Sequence, residues 1–137
     1  MAPKMHFLTA TRAFADATRV RILAGLRDGE LCVCDLVEVL GVRQSTLSTH
    51  LQVLRAAGLV RSRRDGKWSH YAIDPQARPT VDALFATFAT SLDADRRLQS
   101  DARRFRALGP PTDPARDAAC CAAASPSAPC IPRRKRA

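Results

Sequence analysis

Aromatic residues are scarce in this chain: Phe, Trp and Tyr together make up only 5% of its 137 residues. Its core must therefore consist mostly of Leu, Val, Ile and Ala, and a domain this small often gains burial by dimerising. The chain has no stretch of about 18 apolar residues, so we expect no membrane-spanning helix. The N-terminus has no long apolar run behind a charged start, so we expect no signal peptide and a cytoplasmic location.

Acidic residues are outnumbered: 13 Asp and Glu stand against 22 Lys and Arg, which gives a formal net charge of +9. This excess of positive charge favours a polyanionic partner, and nucleic acid is the first candidate. The five cysteines are an odd number. Without a secretory context we expect reduced thiols, available to soft metals or to redox chemistry rather than to structural disulfides.

The spacing of apolar residues predicts three helices before the middle of the chain. A short helix covers about residues 5–14, and Asp16 has the chemistry of an N-cap for the second helix. The second helix ends at Asp28-Gly29. The third helix has about two turns and ends at Gly41.

A fourth helix and a hairpin follow. Ser45 is placed to cap the fourth helix, which runs to about Ala57. Two strand-like runs, 59–64 and 67–73, are joined by Asp65-Gly66. An Asp-Gly pair between two such runs is a strong hairpin signal.

A fifth helix carries an apolar stripe that we expect to form a dimer interface together with the first helix. Its members are Val81, Leu84, Phe85, Phe88 and Leu92. A more polar continuation extends this helix to about Phe105. From residue 109 onward Pro, Ala, Ser and Arg dominate. We therefore predict one domain over 1–108 and a disordered, basic, cysteine-containing tail over 109–137.

Four segments of the chain resemble the ArsR/SmtB family of metal-responsive repressors, over about residues 12–92. They are Asp-Ala-Thr-Arg-Val-Arg-Ile-Leu at 16–23, Glu-Leu-Cys-Val-Cys-Asp-Leu at 30–36, Gln-Ser-Thr-Leu-Ser-Thr-His-Leu at 44–51 and Gly-Lys-Trp-Ser-His-Tyr at 66–71. The resemblance implies a mainly α, dimeric winged helix-turn-helix protein with a small β-hairpin wing. It also implies that the dimer binds double-stranded operator DNA until an effector releases it.

The Cys-Val-Cys-Asp-Leu motif is similar to that of the arsenical-sensing branch, which implies As(III) or Sb(III) as inducer and Cys32 and Cys34 as its ligands. These soft centres favour three thiolates, and a helix N-terminus stabilises thiolates. In a regular helix two residues i and i+2 point about 200° apart. We therefore expect the two sulfurs to converge only if the first turn of the third helix loosens, which would disturb the recognition helix. The alternative is that both cysteines are small apolar residues of the core.

The third thiolate is missing from this motif, because Val37 stands where some relatives have a cysteine. Cys120, Cys121 and Cys130 of the tail are candidate additional ligands, or else spare thiols. About 11 residues link them to the predicted domain, and a flexible linker of that length reaches about 17–20 Å.

The fourth helix and the hairpin supply the predicted DNA contacts. Short polar side chains enter the major groove, and basic ones contact phosphates. The predicted set is Arg43, Gln44, Ser45, Thr46, Ser48, Thr49, Arg55, Arg63, Arg64 and Lys67. The alternative is that they form a solvated surface.

Two further functions fit parts of the sequence. The same fold can sense Cd(II), Pb(II), an organoarsenical or thiol oxidation, since each acts on cysteine. A thiol reductase is the alternative from another class, but no Cys-x-x-Cys follows a strand in a βαβ context. We therefore expect no enzyme activity and no catalytic cofactor.

Overall fold

The computed structural model describes residues 5–65 and 68–109. These residues form a mainly helical domain with one small antiparallel sheet, as expected for a winged helix-turn-helix protein. In chain order the elements are α1 Phe7–Phe14, α2 Ala17–Leu26, β1 Leu31–Cys32, α3 Val33–Leu40, α4 Gln44–Ala56, β2 Val60–Asp65, β3 Trp68–Ile73, α5 Arg78–Thr87, α6 Ala89–Ala94 and α7 Arg96–Ala107.

The junction of α1 and α2 is fixed by side chains at the start of α2. Asp16 is the predicted N-cap and accepts a hydrogen bond from the backbone N–H of Arg19 at 3.0 Å. This hydrogen bond lowers the pKa of Asp16. The Arg19 guanidinium donates to the carbonyls of Ala13 and Arg12, 2.8 and 3.0 Å away. It thereby satisfies the Ala13 carbonyl at the end of α1 and adds a second donor to the Arg12 carbonyl, which also accepts from the Ala15 N–H.

The three strands have the order β1-β3-β2. The β2–β3 hairpin was predicted, and the tip residues 66–67 lie outside the described residues. Strand β1 was not predicted. It pairs Leu31 with Tyr71 and Cys32 with His70, and it is too short to give an alternating pattern of its own.

Helix α4 begins two residues earlier than predicted. Arg43 is its N-cap, so the prediction of Ser45 as the cap was wrong, because Ser45 already lies in the first turn. The C-terminal end of α4 was predicted correctly. Gly58, with φ of 75°, donates to the Arg55 carbonyl, while Leu59 donates to the Leu54 carbonyl. This is a Schellman motif, in which the left-handed residue favours glycine.

The predicted long fifth helix is divided into α5, α6 and α7. Asp95 has an extended conformation, with φ of −74° and ψ of 114°, which breaks the helical path. Its carboxylate then accepts hydrogen bonds from the backbone N–H groups of Arg97 and Leu98, at 2.8 and 3.0 Å. An N-cap therefore starts α7 as a separate helix, which packs back on α2 and α3.

Buried aliphatic residues from α2, α3, α4 and the sheet form the core. Val81 and Phe85 of α5 also belong to it. The prediction that the whole apolar stripe of the fifth helix is available to a partner was therefore wrong for these two residues. Among the described residues, none of the helices combines the length and apolar character that a membrane span requires.

Candidate functional site

The two motif cysteines lie on different elements. Cys32 is in β1 and has extended backbone geometry, with φ of −72° and ψ of 151°, whereas Cys34 lies in the first turn of α3. Their sulfurs are 2.7 Å apart. The expectation that they converge only after the helix start loosens was wrong, because Cys32 precedes the helix and its side chain turns back over the first turn. The pair is placed to act together on one soft ion, or to be oxidised together.

Cys32 also caps α3. Its backbone N–H donates to Asp35 Oδ2 at 3.1 Å, and its side chain faces the backbone N–H of Asp35 in return, which completes a capping box. Both side chains are buried, with Cys32 0% and Asp35 1% exposed. The Cys32 sulfur therefore holds the start of α3 in addition to lying beside Cys34.

The cysteine strand is joined to the wing by side chains as well as by the sheet. Glu30, just before β1, accepts from Arg63 of β2, with Nη2–Oε1 at 2.5 Å and Nε–Oε2 at 3.3 Å. His70 of β3 is buried, and its Nδ1 lies 3.9 Å from the same Glu30 oxygen. A displacement of β1 would consequently reach both strands of the hairpin.

Helix α3 leads through a short turn into the polar helix α4. Gly41 ends α3 in the left-handed conformation, with φ of 65°, and α4 starts three residues later. Its apolar side, formed by Leu47, Leu51 and Leu54, is buried. The residues of the predicted reading face are all exposed: Arg43, Gln44, Ser45, Thr46, Ser48, Thr49 and Arg55.

Comparisons with known proteins agree with this arrangement. Residues 16–62 match the family model described as bacterial regulatory protein, arsR family. The chain is 39% identical over 100 residues to the arsenic resistance transcriptional regulator ArsR1 of Pseudomonas putida. The aligned region covers 72% of this chain and 76% of that protein. The chain belongs to the ArsR family.

Two further proteins to which this ArsR-family chain is similar are a repressor and a DNA-binding domain, not enzymes. It is 45% identical over 75 residues to the arsenical resistance operon repressor of Escherichia coli, covering 52% of this chain and 64% of that one. The solution NMR structure of the homodimeric winged helix-turn-helix DNA-binding domain Mb0332 from Mycobacterium bovis superposes with a TM-score of 0.56 and 30% identity. That match covers 65% of this chain and 83% of the solved one.

The wing of this ArsR-family chain is the β2–β3 hairpin, and the basic residues predicted there to contact DNA differ in their surroundings. Arg64 is exposed, whereas Arg63 is held by Glu30 and its side chain is 39% exposed. Lys67 lies outside the described residues. A groove between the end of α4 and β2 is lined partly by Arg61, a basic residue of the predicted wing, and by Gln52. Gln52 was not predicted as a DNA contact, because only its place in the fold brings it beside β2.

The predicted tail ligands Cys120, Cys121 and Cys130 lie outside the described residues. Within residues 5–65 and 68–109, no three or more His, Cys, Asp or Glu side chains are grouped as a metal site requires. Within the described part of the chain, the pair of Cys32 and Cys34 therefore falls short of the three side chains that such a site requires.

Proposed function

We propose that this chain is a homodimeric repressor of an arsenic or antimony resistance operon, which leaves its operator when As(III) or Sb(III) binds the thiolates of Cys32 and Cys34. The observation that carries the proposal is the 2.7 Å separation of the two sulfurs at the start of the helix-turn-helix. The names of the relatives support the choice of inducer. A repressor of this kind acts on DNA in the cytoplasm.

The donor set fits a soft, thiophilic centre. Thiolates are the ligands that such centres prefer. A metalloid bound there would accept electron pairs from the two sulfurs and would take part in no redox step. Cys34 lies in the first turn of α3, and its sulfur is adjacent to that of Cys32. The third donor is water, a small thiol or one of the tail cysteines Cys120, Cys121 and Cys130.

Release of DNA follows from the double role of Cys32. A sulfur that is engaged as a ligand is a poorer acceptor for the Asp35 N–H, so the first turn of α3 loses part of its cap. Sulfur is a weak hydrogen-bond acceptor, so this loss is smaller than that of a Ser, Thr, Asn or Asp cap, which contributes about 0.5–2 kcal/mol. The change at β1 also reaches the wing through its pairing with β3 and through Glu30. Both DNA-contacting elements then lose the arrangement that fits the operator.

The test is substitution of the two cysteines by serine. Serine is a preferred N-cap, so Cys32→Ser removes a metalloid ligand and keeps a side chain that caps α3. We expect Cys32→Ser and Cys34→Ser to bind operator DNA as the wild type does and to remain bound when As(III) is added. Fluorescence anisotropy of a labelled operator duplex measures both properties. Release of the double variant by As(III) would exclude this site as the sensor.

The tail is tested by truncation after Leu108. We expect the truncated chain to keep its DNA affinity and to need more As(III) for release, because one candidate source of the third donor is gone. An unchanged dose response would assign that donor to water or to a small thiol.

Cd(II), Pb(II), an organoarsenical and thiol oxidation are the alternative inducers, because each also acts on a cysteine pair. Titration of the DNA complex with As(III), Sb(III), Cd(II), Pb(II), an organoarsenical, Zn(II) and peroxide distinguishes them. We expect As(III) and Sb(III) to act at the lowest concentrations, and release by peroxide alone would favour a redox sensor.

A further inference from the structure

Helix α7 is fixed to α2 by a buried ion pair. Arg21 of α2 donates to Asp101 of α7 through two nitrogens, Nε at 2.6 Å and Nη2 at 2.9 Å. Asp101 is only 4% exposed. Such a bidentate pair is geometrically specific, so it sets where α7 lies.

The contacts of α7 converge on the end of α3. The Arg104 guanidinium donates to the Val39 carbonyl at 3.2 Å, and Arg21 donates to the Leu40 carbonyl at 3.2 Å. These carbonyls belong to the last turn of α3, where acceptors have no partner inside the helix. The end of α3 is followed directly by the turn to Arg43 and the recognition helix. The C-terminal half of α7 is therefore anchored beside the proposed DNA surface.

The outward side of this half is basic. Arg103 and Arg106 are both exposed, and being three residues apart they are neighbours on the helix surface. The carboxylate of Asp101 is bound to Arg21. The other end of α7 also carries two exposed arginines, Arg96 and Arg97, but there they follow the carboxylates of Asp93 and Asp95.

We propose that the C-terminal half of α7 is an additional DNA-contacting element, in which Arg103 and Arg106 bind phosphates of the duplex that flanks the half-site read by α4. Two observations carry the inference: the positive charge of this surface, and the hydrogen bond by which Arg104 of the same half-helix holds the last turn of α3, just before the turn to the recognition helix. Helix α7 lies outside residues 16–62 that match the family model. The inference rests on the proposed binding of operator DNA.

The experiment compares two duplexes and three forms of the full chain. The operator is first selected from random duplexes by the wild-type chain. It is then placed in a short duplex that ends at the outer edges of the half-sites, and in a long duplex with about ten further base pairs, roughly one helical turn, on each side. The variants are Arg103→Gln/Arg106→Gln and the matched control Arg96→Gln/Arg97→Gln, which loses the same charge from the other end of the same helix. Thermal unfolding checks that the exposed substitutions leave the fold intact.

The readout is the slope of log K against log salt concentration. This slope is negative, and its magnitude decreases by about 0.9 for each phosphate that the protein no longer neutralises. On the long duplex we expect Arg103→Gln/Arg106→Gln to lower this slope by about two units per subunit relative to the wild type. On the short duplex we expect no difference, and we expect the control variant to behave as the wild type on both.

The opposite results overturn the inference. A slope unchanged on the long duplex shows that the surface does not touch DNA. An equal decrease on both duplexes, or the same decrease in the control variant, shows a general effect of charge. A wild-type chain that selects no operator refutes the proposed repressor function as well, which distinguishes that failure from failure of the inference alone.

Discussion

Arg63 and Arg64 are neighbours on β2 with different surroundings. Successive side chains of a strand point to opposite faces, so Arg63 reaches Glu30 while Arg64 is exposed. We expect Arg64→Gln to reduce the magnitude of the salt slope of DNA binding by about 0.9 for each subunit, the value for one phosphate contact. Arg63→Gln should change this slope much less, because its guanidinium is already paired. Anisotropy titrations at several NaCl concentrations measure both slopes.

Glu30→Gln is the control for this assignment, because it removes the charge that holds Arg63. We expect it to steepen the salt slope by releasing a cation beside the duplex, the opposite sign to Arg64→Gln. It should also raise the As(III) concentration needed for release, since it removes a link between β1 and β2. Equal decreases in slope for Arg63→Gln and Arg64→Gln would mean that Arg63 leaves Glu30 when DNA binds.

At the scale of elements, the packing of α2 against α7 leaves no room for a side chain at Gly25. A Cβ there would lie 2.6 Å from Phe105 Cε2. Alanine in a helix is favoured over glycine by about 1 kcal/mol, but overpacking costs about 1–3 kcal/mol. We therefore expect Gly25→Ala to lower the Tm in the wild-type chain and to raise it in a Phe105→Ala chain. Thermal unfolding followed by circular dichroism measures both, and a higher Tm in both backgrounds would mean that the Phe105 ring moves aside freely.

The elements differ in how far the sequence predicts them, for physical reasons. Helix α4 was predictable because Leu47, Leu51 and Leu54 give a helical period and Gly58 ends it. Strand β1 was not, since two residues have no period and its pairing to β3 is set by tertiary contacts. The separate start of α7 depends on the extended backbone of Asp95. Aspartate is a preferred N-cap residue, but this one lies in a polar stretch whose pattern predicts one continuous helix.

The same limit applies to the candidate site. The Cys-x-Cys spacing and its resemblance identified Cys32 and Cys34, but the geometry of their sulfurs depends on whether Cys32 is helical or extended. Only the pairing of Cys32 with His70 decides this. The link from Glu30 to Arg63 spans 33 residues of sequence and has no local signal.

For the whole molecule, we expect the surface that a second copy covers to include exposed apolar side chains of α1 and of the α5–α6 junction. Phe7 and Leu8 of α1 are 78% and 66% exposed, and Phe88 between α5 and α6 is 56% exposed. Exposed large apolar side chains are candidates for an interface. A dimer formed there would present two copies of α4 to half-sites about 34–36 Å apart, or a multiple of this distance.

We therefore expect Phe88→Glu to give a monomer in sedimentation at micromolar concentration, because it buries a charge in an apolar interface. Linking two binding modules raises affinity by about 10²–10⁴, so the monomer should bind a two-half-site operator at least about 100-fold more weakly. Its binding to an isolated half-site should be unchanged. Gln76→Glu, at an exposed position before α5, adds the same charge and should leave the dimer intact. If the Phe88→Glu chain sediments as a dimer with full operator affinity, the interface lies elsewhere on the molecule.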